Sequence, residues 1–584
     1  MPKLISEFKM EFMNIYKVIE FSDFFINESI DIKKTLKRFS REKLVDAVSV
    51  MSINYGNAYL PNPQMTFFSD TSRDKMEKLN SLFNAYSEKQ AVKGYQRFYY
   101  SSYRTILEWI RYIYSIPYED FTGDIRKEDF EYELFRVLTA INEDLYNDIP
   151  DTNKLPEIMF YMEYSMNDMN MRNISDTVRT QALYCKRLFD FLEKSPKAGD
   201  LYKRFLKKYG ITHWHQYAST INCLIFHLNI CSKQEPKVNP KLSIQDFPSE
   251  MKNRISLSVL DNISIGIDEY VAYDSIDNKD RNNNVDYRMF RSRPLIKGKD
   301  GYYNPVNYQM ICELMYNSLF FVLSELYGKD FNSFYNKRFV EEYLFHRTML
   351  KICKNSKKIA RYFPSESQVL SDKIQVEEKD QPDFYARYHG DIFLFECKAF
   401  KLNGTFKEKG KMTPMIDALY KKVVHGINQR GKDEDLAIRQ LNKHCHNIHI
   451  DDFRWDKQIP DEVTYYPVLV LEDPKIANAG AASLIQDWNN IELWGDGENK
   501  RNPIQAYSPI VTVSIDTLFL YSDVFKKRGF EIVFEEYFKD CANFNDKKGW
   551  TLSLSMSFNQ YMKRYGFREK KFYDGFVKEI MEHS

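Results

Sequence analysis

Residues 381–400, QPDFYARYHGDIFLFECKAF, restrict what this chain can fold into more than any other stretch. Two runs rich in large apolar residues flank His389-Gly390, and such runs around a two-residue turn that contains glycine read as a β-hairpin. Pairing about that turn sets Tyr388 opposite Asp391, Arg387 opposite Ile392, Tyr385 opposite Leu394 and Asp383 opposite Glu396. Period-two alternation then puts Ile392, Leu394, Glu396 and Lys398 on one face, and Phe393, Phe395, Cys397 and Ala399 on the other.

The pairing brings two acids face to face. Directly opposed residues carry their Cβ atoms roughly 5 Å apart. Carboxylates at that spacing repel unless a cation lies between them, and both can ligate one hard divalent metal. An acid two residues before a lysine is by itself common in a sequence that is 28% charged, as in Glu7-Phe8-Lys9, Asp31-Ile32-Lys33, Asp277-Asn278-Lys279 and Glu569-Lys570-Lys571. None of those triplets ends an apolar strand opposite a second acid. Metal-assisted phosphodiester hydrolysis requires this arrangement: two acids to hold Mg2+ or Mn2+, and a lysine to orient or help deprotonate a water and to neutralise charge building on phosphorus.

Pro382-Asp383, a twelve-residue gap and Glu396-Cys397-Lys398 together resemble the signature of the PD-(D/E)XK nuclease superfamily, the restriction-endonuclease-like fold. The resemblance covers about residues 331–475 and names no subfamily. It implies a helix with a further glutamate before the hairpin. RFVEEYLFHRTML supplies Glu341 or Glu342, and Glu341, flanked by Val340 and Leu344, is the favoured second-metal or water-positioning acid. Downstream, AIRQLNKH offers Gln440 where members often carry a polar helix residue near the phosphate. The resemblance therefore implies Asp383, Glu396, Lys398, Glu341 and Gln440 as catalytic residues, with Asp383, Glu396 and Glu341 as ligands of Mg2+ or Mn2+. It also implies nucleic acid as partner, DNA ahead of RNA, and a homodimer. A cytoplasmic nuclease without a sequence reader needs gating by a protein partner, a ligand or oligomerisation, as in bacterial restriction and antiphage defence. The rival expectation is a nucleic-acid-binding scaffold that keeps the fold without turnover.

At 584 residues the chain exceeds what a single core supports, so several domains are expected. The expected division is a helical amino-terminal recognition or regulatory domain over 1–235, a connecting α/β segment over 236–330, and a mixed α/β nuclease domain over 331–584 with a helical extension. Segments such as YRTILEWIRYIYSI (103–116) and TVRTQALYCKRLFDFLEK (177–194) carry apolar residues at helical spacing. LPNPQ (60–64), KQEPKVNPKLSIQDFPSE (233–250) and DNKDRNNNVD (277–286) read as loops or linkers. RPLIKGKDGYYNPVN (293–307) reads as two short strands, followed by helices over 310–328 and 336–356.

The net charge of +1 conceals a partition: residues 333–361 carry net +6, residues 401–450 net +5 and residues 451–500 net −7. Basic density beside the hairpin suits a polyanion. Tyr385, Arg387 and Tyr388, next to the acids, could stack on bases or contact phosphate. Among His444, Cys445, His446 and His449, a helix turns Cys445 and His449 the same way, but no partner CxxC or HxxxH is nearby and a structural zinc site needs four ligands. Eight scattered cysteines without CxxC pairs, and an amino terminus that interleaves charge with apolar residues, fit reduced thiols in a cytoplasm. The 310–328 stretch contains Glu313 and Glu325, which suits a core helix and not a membrane span.

Overall fold

The computed structural model describes residues 16–53, 71–91, 97–101, 103–146, 154–166, 174–195, 198–233, 239–271, 288–364, 381–402, 412–427, 433–453, 455–494, 507–545, 549–566 and 570–583. Within these residues the chain is mixed α/β, with long helices and several small sheets. The segments 60–64 and 277–286, read above as loops, lie outside the described residues.

The described part of the first 235 residues is mostly helical, as its spacing predicts, with one addition: β1 (Tyr16–Val18) pairs in parallel with β2 (Arg97–Tyr99). A second small sheet holds β3 (Ser264–Gly266), β4 (Leu295–Lys297) and β5 (Tyr303–Pro305). β4 and β5 are the two short strands expected over 293–307, paired as an antiparallel hairpin. Part of the expected linker is attached to it, since Leu242 and Tyr303 exchange both backbone hydrogen bonds at 2.9 Å.

The central sheet has five strands, β6 (Arg361–Phe363), β7 (Phe384–Tyr388), β8 (Asp391–Lys398), β11 (Thr464–Leu471) and β12 (Val511–Ser514), in the order β12-β11-β8-β7-β6. Between β8 and β11 lies a small ribbon of β9 (His425–Ile427) and β10 (Asp433–Asp435). β6, β7 and β8 are antiparallel neighbours, whereas β8, β11 and β12 run parallel. Parallel strands need covered connections and bury both faces. Phe393, Phe395 and Cys397 accordingly pack with Tyr466, Val468, Val470, Val511 and Val513 in one core, while Ile392 and Leu394 pack with Tyr465, Leu469 and Leu471 in another.

Hydrophobic packing crosses the 235 position. Leu183, Leu188, Trp214 and Leu224 belong to the same core as Phe393 and Phe395, and Phe160 and Tyr164 join the core on the opposite face of the sheet. A third core unites Ile106, Trp109 and Leu138 with Ile265 and Ile296 of the small sheet.

Two helices depart from their expected form. The 310–328 stretch is divided into Tyr308–Glu313 and Leu319–Tyr327. The break coincides with capture of the Asn317 backbone N–H by Gln181 Oε1 at 2.8 Å, a tertiary bond that local periodicity does not encode. The 336–356 stretch begins as a twelve-residue π-helix, Phe334–Phe345, and continues as an α-helix, His346–Cys353. Tyr335 anchors the wide turns by donating to Glu472 Oε1, just past β11, at 3.3 Å.

Candidate active site

The hairpin register is the one the sequence predicts, Tyr388↔Asp391 through Phe384↔Phe395. Within the turn the left-handed residue is the histidine, not the glycine. His389 has φ +52°, and Gly390 is absent from the left-handed region. Gly390 is instead required for close approach: a Cβ there would lie 2.5 Å from the Glu462 carbonyl oxygen, where the chain enters β11.

Asp383 stands one residue before β7, and its Oδ2 accepts the Cys397 backbone N–H at 2.7 Å. Opposite it, Glu396 is buried, with Lys398 Nζ 3.3 Å from its Oε2 and His444 Nε2 3.2 Å from its Oε1. Asp383, Glu396 and Lys398 therefore meet at the open end of the hairpin. Glu341 joins them from the π-helix, within electrostatic reach of Lys398, Glu396 and Asp383. Its neighbour Glu342 turns to Arg338, whose Nη1 donates to Oε2 at 2.8 Å, so Glu341 is the upstream acid directed at the hairpin.

The protonation energetics follow from this crowding. Burial pushes the Asp383 carboxyl well above its usual range, the Glu396 and Glu341 charges push it further, and Lys398 and the Cys397 N–H only partly oppose them. For Glu396 burial acts in the same direction, but Lys398 and the His444 bond outweigh it and hold the carboxylate below its ordinary value. Burial disfavours the Lys398 ammonium, yet Glu396, Asp383 and Glu341 together keep it protonated far into the alkaline range. Burial lifts Glu341 to about 7, against the pull of Lys398 and with the help of Glu396 and Glu342.

Glu341 thus carries a stability cost with a defined pH window. A carboxyl whose folded pKa is raised contributes stability below its ordinary 4.5 and loses it as pH climbs through about 7. In the metal-free protein, Glu341→Gln is therefore expected to match wild type in thermal unfolding near pH 4.5 and to exceed it by about 3 kcal/mol above pH 7. A difference that does not change with pH would show that burial and the neighbouring acids do not raise the Glu341 carboxyl.

Three carboxyls and one ammonium lie within electrostatic reach of one another, and the acidic donors are all oxygens, the donor chemistry that suits a hard divalent cation such as Mg2+ or Mn2+. Among the described residues no group of three His, Cys, Asp or Glu side chains is placed so as to hold a metal ion. Two further residues brace the acids, and the sequence assigned neither of them to this site. His444, weighed from the sequence only as a zinc ligand, follows Gln440 by four residues on the helix Ala437–His449, so helical spacing from the position that the family resemblance picked out leads to it. His346, buried and lowered by burial to about 4, sits with Nε2 2.9 Å from the Asp383 carbonyl oxygen. Nothing in the local sequence marks it.

Gln440 has its Oε1 buried without a hydrogen-bond partner among the described residues, and no bond joins it to Asp383, Glu396 or Lys398. The zinc quartet does not converge, because His444 and Cys445 are buried while His446 and His449 are exposed. Tyr385 and Arg387 are not surface groups for stacking on bases. Both are buried and donate to Asp456 Oδ2, at 2.9 and 2.6 Å. Of the residues read as nucleic-acid contacts, only Tyr388 keeps an open side, with Lys358 Nζ 5.6 Å from its ring centre.

The charge partition is also partly internal. Arg361 of the first basic segment pairs with Asp456 at 3.0 Å, and Arg439 of the second pairs with Glu492 at 2.9 Å, so the acidic segment folds back onto both. All eight cysteines are unpaired and buried. No described helix is long and apolar enough to cross a membrane. No family model, curated protein or solved structure matches the chain.

Proposed function

We propose that the unit built on the five-stranded sheet is a divalent-metal-dependent endonuclease of the PD-(D/E)XK, restriction-endonuclease-like type, hydrolysing phosphodiester bonds with DNA as the favoured substrate. The observation that carries this reading is the meeting of Asp383, Glu396, Lys398 and Glu341 at one end of a buried hairpin. The order of elements supports it: an acid-bearing helix, an antiparallel hairpin, then a helix leading to a strand parallel to the second hairpin strand.

Asp383, Glu396 and Glu341 are the residues that would hold Mg2+ or Mn2+, and the bound ion would supply Lewis acidity at phosphorus and an acidified water. Lys398, kept protonated by the three acids, would contact a phosphate oxygen and stabilise charge that develops there. Such an ammonium is poorly suited to accept a proton, so its role is electrostatic. The helical amino-terminal part would recognise the substrate, a partner or an activating ligand, as in a gated bacterial restriction or antiphage system.

A second reading, a nucleic-acid-binding scaffold without turnover, draws on the engagement of both Glu396 oxygens by Lys398 and His444. Incubating plasmid and oligonucleotide DNA, and RNA in parallel, with the protein and Mg2+ or Mn2+ separates the two. Wild type should cut and Asp383→Asn should not. Equal products from both would remove the assignment to these acids, and none from wild type with any metal would leave the scaffold.

A further inference from the structure

Each of the two opposed acids is gripped by a buried histidine. His346 opens the α-helix before the hairpin and His444 lies on the helix after it. We infer that His346 and His444 are positioning residues that fix Asp383 and Glu396 from opposite sides of the hairpin in the geometry of the metal site; the inference rests on the nuclease reading above.

The two grips differ in kind. A carbonyl oxygen only accepts, so the 2.9 Å contact between His346 Nε2 and the Asp383 carbonyl requires that Nε2 carry the hydrogen. That bond fixes the backbone of the residue just before β7, and with it the direction from which the Asp383 carboxylate reaches the Cys397 N–H at 2.7 Å. His444 acts on the side chain itself. Its Nε2 lies 3.2 Å from Glu396 Oε1 while Lys398 Nζ lies 3.3 Å from Oε2, so the carboxylate is held at both oxygens and its plane cannot rotate freely.

Space filling does not account for these rings. His444 is 4% exposed and its Nδ1 is buried without a hydrogen-bond partner among the described residues, a cost that a phenyl or isobutyl group of similar size would avoid. What an apolar side chain could not supply is the N–H that reaches the acid. Partners of this kind around a metal ligand are worth roughly 10- to 100-fold in affinity.

Calorimetric titration of Mn2+ into the full-length protein tests the inference, using Ala, Asn and Gln at each position. Glutamine extends an N–H donor to about where Nε2 stands, whereas asparagine stops short. His346→Ala, His346→Asn, His444→Ala and His444→Asn should bind Mn2+ about 10- to 100-fold more weakly. His346→Gln and His444→Gln should recover most of the loss. In DNA cleavage the weakened variants should lose kcat with KM for DNA unchanged, because neither ring reaches the substrate. Near-UV circular dichroism checks the fold, and should an alanine variant fail it, the Asn and Gln pair at that position decides.

Alanine and asparagine variants that bind Mn2+ as tightly as wild type and glutamine would overturn the inference alone. No heat from wild type would instead overturn the nuclease reading, and the inference with it.

Discussion

Replacing Lys398 with alanine is expected to lower DNA cleavage by about 10²- to 10³-fold, the range seen when one preorganised donor to a developing negative charge is removed. Metal binding should move the other way. In wild type the ammonium stands 3.3 Å from Glu396 and lowers the negative potential of the site that an incoming cation feels. Without it, the buried ammonium that opposes Glu341, Asp383 and Glu396 is gone, and Mn2+ affinity should hold or rise. The metal-free variant should be less stable, because Glu396 loses its buried ion partner, and added Mn2+ should restore much of that loss. Single-turnover cleavage with excess protein, read beside a Mn2+ isotherm and melting curves with and without the metal, resolves these effects. Lys398→Ala protein that keeps Mn2+ binding and full cleavage would remove the lysine from the chemistry. Loss of cleavage together with metal binding would make its role structural.

How much of this site was legible in the sequence divides along a physical line. Pairing in a hairpin is set by its turn and by period-two alternation, both local, so the meeting of Asp383 and Glu396 follows from the order of residues alone. The upstream acid was half legible: Val340 and Leu344 mark the buried side of the helix, but not its winding. On an α-helix two residues five apart point about 140° away from one another. Glu341 and His346, five apart, both face the hairpin, and the i→i+5 turns over Phe334–Phe345 make that compatible. No hydrophobic periodicity announces such turns. The roles of His346 and Gly390 were illegible for a related reason, since each is defined by a residue far along the chain, Asp383 for the first and Glu462 for the second. Segment charges misled in the same way: the basic runs look free until the acidic run is seen to return to Arg361 and Arg439.

Asp456 is the point where that return does most for stability. Its side chain is fully excluded from solvent and accepts from Arg387 Nε at 2.6 Å, Tyr385 OH at 2.9 Å, Arg361 Nη1 at 3.0 Å and the Gln458 backbone N–H at 3.0 Å. Two of the donors sit on β7 and one on β6, so a single carboxylate ties the loop before β11 to both outer strands. Burial alone would raise its pKa, but the Arg387 bond, the Gln458 N–H and the Tyr385 hydroxyl reverse the sign and hold it below the ordinary carboxylate range. A carboxyl lowered in the folded state stabilises above its unfolded pKa and loses that contribution as pH falls through the folded value. Asp456→Ala leaves the Arg387 guanidinium buried without its partner, which costs about 3–5 kcal/mol. Urea unfolding at pH 7 should show that deficit, undiminished down to about pH 5 and shrinking only where Asp456 itself takes up a proton. Because β7 begins immediately after Asp383, the same variant should also weaken Mn2+ binding, although Asp456 touches none of the acids. An Asp456→Ala protein as stable as wild type at pH 7 would mean that the sheet edge is held by packing alone, and that the four donors around Asp456 find other partners when it is gone.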